Sequence, residues 1–175
     1  MPDETAPTVD AVPTLTDPES LRDRGDVEFL ERTKVHDDAD HCAMSADGRA
    51  VVGVTDDDGD ALVIVNEERD FAMLPNGTVE SGDDWAAVAR EQVEHLTGLS
   101  IEIDGIERVR KVEHVVDGDD EPHTTSYQVV FAASPATDDR TISHGCDWRG
   151  EWCDAFPEGV ADEGPAQDDV RLFLD

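Results

Sequence analysis

Apolar residues recur along this chain at two different spacings. Trp85, Val88, Ala89, Val93 and Leu96 fall three and four apart, which lines one side of a helix. The segment from Trp85 to Thr97 lacks Gly and Pro; Asp83-Asp84 before it supplies an N-cap, and Gly98 after it suits a left-handed stop. The spacing therefore predicts a helix over 85–97. Elsewhere the runs are β-branched. Residues 50–55 and 61–66 read as two strands joined by the acidic, Gly-containing link 56–60, a predicted hairpin. A short strand is expected at 71–74 and is followed by a turn at Pro75-Asn76-Gly77, because proline lacks a donor and Asn-Gly favours positive φ. Further strands are predicted at 100–103, at 106–116, where apolar and charged residues alternate, and at 123–134. Residues 36–50 and 135–150 read as loops, and 118–122 as a turn. Val27 to Leu30 fits a strand or a short helix, and Val170 to Leu174 either closes a last helix or forms a small strand. This order predicts an α+β fold, a mixed sheet covered by helices.

Charge changes the picture most. Against 44 Asp and Glu stand 13 Lys and Arg, a formal net charge of −31, and only Lys34 and Lys111 are lysine. A field of that sign repels nucleic acid and anionic membrane surfaces, so neither is an expected partner. A disordered acidic chain is argued against by 38% apolar residues in periodic segments. The remaining reading is a folded protein adapted to concentrated salt, where screening makes self-repulsion tolerable. Residues 1–20, rich in Pro and acidic residues, read as a disordered tail; 21–44 stay open, and 45–175 form the domain. Three cysteines and no apolar leader or membrane-length run fit a reducing cytoplasm.

The stretch from Leu74 to Leu99, LPNGTVESGDDWAAVAREQVEHLTGL, resembles the Nudix box of the Nudix hydrolases, a glycine loop followed by a glutamate-rich helix. Aligned without gaps, Gly77 is the first glycine, Asp83 takes the first glutamate position and Gly98-Leu99 the closing pair. The family's Arg-Glu then falls on Glu91-Gln92 and its Glu-Glu pair on His95-Leu96. Sliding by one residue gives Arg90-Glu91-x-x-Glu94-His95 instead, a rotation of roughly 100° around the helix. The resemblance implies a Nudix-like α/β/α sandwich with a mixed sheet. It also implies Mg²⁺ or Mn²⁺ held against a diphosphate, and cleavage of a nucleoside diphosphate linked to another moiety. In that reading Glu91, Glu94 and His95 are catalytic and bind the metal together with Gly77, which also contacts substrate. Gln92 and Leu96, at family glutamate positions, keep an alternative open: a catalytically inactive Nudix-fold domain that binds a nucleotide or a protein partner.

Beside the resemblance, Arg108, Arg110 and Lys111 form a basic trio suited to a phosphate group. The competing account pairs them with neighbouring carboxylates such as Glu107 and Glu113. His36, His41, Cys42, Cys146 and Cys153 match no zinc spacing and read better as ordinary core or surface residues. Tyr127, Phe131, Trp148 and Trp152 suit stacking on a base, although core packing is the commoner use of such positions. Oligomeric state is not legible.

Overall fold

The strands predicted between residues 50 and 134 each find a place in one of two sheets. The computed structural model describes residues 18–22, 24–25, 27–37, 48–66, 68, 70–80, 82–138, 141–142, 148–160 and 164–174. The strands are β1 (Glu28–His36), β2 (Gly48–Val54), β3 (Ala61–Asn66), β4 (Phe71–Met73), β5 (Asn76–Val79), β6 (Ile101–Val116), β7 (Thr124–Pro135) and β8 (Trp148–Cys153). The helices are α1 (Trp85–Thr97) and α2 (Pro165–Arg171), with one 3₁₀ turn at Pro18–Leu21. A five-stranded mixed sheet runs β1-β6-β7-β2-β5, and a three-stranded antiparallel sheet runs β4-β3-β8.

Helix α1 forms where its sequence predicts. The Asp84 carboxylate accepts from the Ala86 N–H at 3.2 Å, and Gly98, at φ 77°, donates its N–H to the Glu94 carbonyl. Its buried face, Trp85, Ala86, Ala89 and Val93, packs with Ala50, Val52, Val129 and Phe131 of the larger sheet. On the opposite side, Val51, Val63, Val65, Val130 and Val170 form a second cluster, which brings in α2 and the smaller sheet. The larger sheet thus lies inside a sandwich.

Three expectations are corrected. The acidic link 56–60 does reverse the chain, with the Asp56 carboxylate accepting from the N–H groups of Asp58 and Asp60. No hairpin follows beyond a single bridge between Thr55 and Ala61, because β2 and β3 go to different sheets. Both strands are apolar on both faces and become interior strands of their own sheets. Pro75-Asn76-Gly77 is not a positive-φ turn: Asn76 and Gly77 open β5, and the Pro75 carbonyl accepts from Val52 N–H at 2.9 Å. The segments 100–103 and 106–116 are one strand, β6, whose register shifts near Gly105 absorb the break in alternation.

Of the tail expected over residues 1–20, residues 1–17 lie outside the described residues, and 18–20 belong to the 3₁₀ turn Pro18–Leu21. From Pro18 the chain is anchored. Glu19 pairs with Arg22 at 2.9 Å and Lys111 at 3.1 Å and accepts from the Tyr127 hydroxyl at 2.6 Å. The Arg22 and Tyr127 bonds lead in holding its carboxyl down to about 2. Phe131 is core, Tyr127 and Trp152 pack against core, and the Trp148 side chain lies outside what the structure describes.

Candidate functional site

Between β5 and α1 lies the turn that sets the phase of the helix. Asp83 N–H donates to the Glu80 carbonyl and Glu80 N–H to the Asp83 carboxylate, both at 3.1 Å. This closes a compact loop ahead of the Asp84 cap. It delivers α1 to β5 with Gln92 against Gly77: a methyl group added to Gly77 would overlap the Gln92 side chain. Val88, Gln92 and Leu96, at i, i+4 and i+8, form the half-buried flank of the helix. Glu91 is exposed and lies about 160° around the helix from both Ala89 and Val93, on the side away from the core. Glu94 and His95 are exposed beside it. The helix therefore keeps Glu91, Glu94 and His95 together on its solvent face and turns Gln92 toward Gly77. Among the described residues, no three His, Cys, Asp or Glu side chains converge in a geometry that holds a metal.

The arginines occupy another surface. Across the larger sheet, Leu30 of β1, Arg110 of β6, Gln128 of β7, Arg49 of β2 and Thr78 of β5 stand in one cross-strand row. This row faces α2, opposite α1, because side chains alternate across a sheet. Arg110 donates Nη1 and Nη2 to the two carboxylate oxygens of Asp169 at 3.1 and 2.9 Å, and Nη1 also to Gln128 at 2.7 Å. Arg108 joins the same carboxylate at 3.0 Å and Glu28 at 2.7 Å. Burial works against the Arg108 charge, but the bonds to Glu28 and Asp169 outweigh it and raise its pKa. These partners come from β1 and α2, not from Glu107 or Glu113, so sequence neighbours gave no sign of them.

Beside this row is a cavity of about 260 Å³ with an apolar floor of Val51, Met73 and Leu74 and polar groups from Arg49, Asn76 and Gln128. Arg49 donates to the Asn76 side-chain oxygen at 2.7 Å, and Asn76 donates to the Leu74 carbonyl at 2.9 Å. Asn76 directly precedes Gly77, so the cavity backs onto the loop-helix through β5. Sequence reasoning missed Arg49 and Gln128, since only strand register puts them beside Arg110. Of the cysteine and histidine set, His41, Cys42 and Cys146 lie outside the described residues. His36 Nε2 lies 2.8 Å from His114 Nδ1, and His114 Nε2 lies 2.7 Å from the Ser126 hydroxyl. Burial, ahead of Glu151, pushes the Cys153 thiol up to about 11.

No protein-family model matches the sequence, and no curated protein does. Solved structures do. A UDP-X diphosphatase superposes with a TM-score of 0.53 at 13% identity, over 74% of this chain and 61% of its own. The Escherichia coli dihydroneopterin triphosphate pyrophosphohydrolase gives 0.52 at 16% identity, over 74% of this chain and 96% of its own. A NUDIX hydrolase from Nitrosomonas europaea gives 0.50 at 16% identity, over 73% and 70%. The fold is Nudix-like. At these identities the likeness is one of backbone alone, and this chain spans less than two thirds of the diphosphatase.

A divalent cation belongs to the chemistry that the Nudix resemblance implies, so the donor set can be tested against it. Hard cations take oxygen donors, with carboxylates supplying the charge. Here the side chain at Gly77 is the neutral amide of Gln92, one turn on is the hydrocarbon of Leu96, and the carboxylates of Glu91 and Glu94 point to solvent. The side chains facing Gly77 do not fit that cation. Among the described residues, no helix is long and apolar enough to cross a membrane.

Proposed function

We propose that this chain is a Nudix-fold binding domain for a small nucleotide derivative, one whose loop-helix no longer builds a catalytic metal centre. A single observation carries the reading: the side chain packed on Gly77 is Gln92. An amide offers one neutral oxygen where the resemblance calls for a carboxylate, and it offsets none of the cation's charge. The ligand class is supported by the cavity beyond β5, where apolar walls and a few fixed polar groups suit a ring bearing hydrogen-bonding edges. It is also supported by the fold, since the diphosphatase and the triphosphate pyrophosphohydrolase are named for phosphoanhydride substrates.

A second reading keeps catalysis. Glu91, Glu94 and His95 sit at i, i+3 and i+4 on one exposed face, and in this reading they hold Mg²⁺ or Mn²⁺ as a displaced centre. One experiment separates the two. The purified chain is incubated in molar KCl, with and without Mg²⁺ or Mn²⁺, with ADP-ribose, nucleotide sugars, dinucleoside polyphosphates and nucleoside triphosphates. Equilibrium binding is measured in the same samples. The binding reading expects retention of one ligand class without turnover. It also expects tight Mn²⁺ binding, read by electron paramagnetic resonance, to appear only in a Gln92→Glu/Leu96→Glu variant. Turnover by the natural sequence that disappears in Glu91→Gln/Glu94→Gln would replace it with the displaced-centre reading.

A further inference from the structure

The cavity bordered by β2, β5, β7 and α2 has its polar groups turned in one sense, and Gln128 sets that sense. Its side-chain oxygen accepts from Arg110 Nη1 at 2.7 Å, and because a guanidinium only donates, the amide cannot turn over. Arg110 cannot swing away either: it is 5% exposed and donates to both carboxylate oxygens of Asp169. The NH2 end of Gln128 is thereby left for the cavity, and among the described residues nothing accepts from it.

The other lining side chains divide in the same way. Asn76 is engaged within the wall, its oxygen accepting from Arg49 Nη1 at 2.7 Å and its NH2 donating to the Leu74 carbonyl at 2.9 Å and to Met73 Sδ at 3.3 Å. Arg49 gives Asn76 one of its five N–H groups, and among the described residues it makes no ion pair. Asp169 reaches the cavity from α2, but three N–H groups of Arg108 and Arg110 already lie on its carboxylate. The side-chain groups with capacity left toward the cavity are therefore donors, the Gln128 amide and the Arg49 guanidinium. Val51, Met73 and Leu74 give apolar surface beside them. At about 260 Å³ the space falls below the roughly 300–1,000 Å³ of sites that enclose a drug-sized ligand, so it fits a ring and not a whole nucleotide.

We propose that this cavity reads the ring of the ligand and selects a 6-oxopurine over a 6-aminopurine. The inference rests on the reading of this chain as a binding domain for a nucleotide derivative, and it concerns the ring, which the fold leaves open. The carbonyl and N7 of a 6-oxopurine are adjacent acceptors, the edge that a guanidinium grips best. In adenine an amino group replaces the carbonyl and sets N–H against N–H. Once the ring has displaced water, the donors of the wall stay unpaired, and that penalty exceeds what a good bond gains. The 2-amino group of guanine has no part in this contact, so hypoxanthine is taken as well as guanine.

Titration calorimetry with IMP, GMP and AMP, in molar KCl with a chelator present, tests the assignment. The three share one ribose phosphate, so their affinity ratios report the ring alone. IMP and GMP are expected to bind alike and at least about tenfold more tightly than AMP. Arg49→Met, at an exposed position, should lower that ratio severalfold. Gln128→Glu keeps an oxygen for Arg110 and turns an acceptor into the cavity in place of the NH2 group. The ratio should then fall to about one or reverse in favour of AMP, which loss of packing does not produce. Thermal melting checks that both variants are folded. AMP bound by the natural chain as tightly as IMP, or a ratio untouched by both variants, overturns the assignment and leaves the binding-domain reading standing. So does binding of other nucleotides from the wider panel without IMP. If no nucleotide binds at all, the binding-domain reading falls and takes the assignment with it.

Discussion

Gly77 shows how one residue can be read correctly for the wrong reason. Its place after Pro75-Asn76 suggests a turn needing positive φ, yet it lies in β5 with no left-handed backbone. What requires glycine is the Gln92 side chain on it, a contact between residues fifteen apart that no local rule reports. Gly77→Ala should therefore destabilise the fold by about 1–3 kcal/mol through overpacking. Shortening the opposing side chain should relieve most of that cost. In urea titrations, Gly77→Ala/Gln92→Ala is expected to recover at least half of the loss, a coupling within the range for residues in contact. Additive losses would mean that the strain lies in the backbone of β5, and the account of Gly77 would fall. The same contact puts Gln92 rather than Glu91 against the loop. Composition alone leaves both phases open, because each puts some acidic residue somewhere on the helix.

Elements were more legible than their partners. The 85–97 helix, its Asp84 cap and its Gly98 stop follow from local chemistry, and local chemistry is what the chain displays. The strands expected at 61–66 and 71–74 were equally plain, the second ending at Met73. The sheet each strand joins was not: the turn at 56–60 gives two adjacent strands every local reason to pair, yet each is buried on both faces and needs two other neighbours. The tie between α2 and β6 was hidden for the same reason, since Asp169 and Arg110 are 59 residues apart. That tie makes a prediction at this scale. Asp169→Ala leaves Arg110 buried without its carboxylate and should cost about 3–5 kcal/mol, seen as a lower urea midpoint. Arg110→Met/Asp169→Leu, which removes both charges, should restore much of that stability. If Asp169→Ala instead costs under about 1 kcal/mol, α2 is not held by this pair.

At the scale of the whole molecule, charge outweighs any single contact. The chain carries 44 carboxylates in 175 residues, and among the described residues most of them are exposed, so folding brings like charges closer than the unfolded chain holds them. The apolar core opposing that repulsion is built largely of Val and Ala, small side chains that each bury modest area. The favourable surface pairs, such as Arg22 with Glu19 and Arg171 with Asp168, are exposed and worth little. Salt weakens those few attractions and the many repulsions alike, and the repulsions are far more numerous. Screening shortens from about 10 Å at 0.1 M to about 3 Å at 1 M, so added salt should stabilise the fold. Thermal melting followed by circular dichroism should show Tm rising by about 3 °C or more over that interval of KCl, equivalent to roughly 1 kcal/mol for a domain of this size. Screening also predicts the shape of the curve, with most of the gain below about 1 M and little above it. Sucrose at matched osmolality carries no charge and should give a smaller rise. A Tm that stays flat or falls with KCl would mean that the carboxylates are already spaced or paired well enough to leave no net repulsion. The acidic surface would then need an explanation other than tolerance of salt.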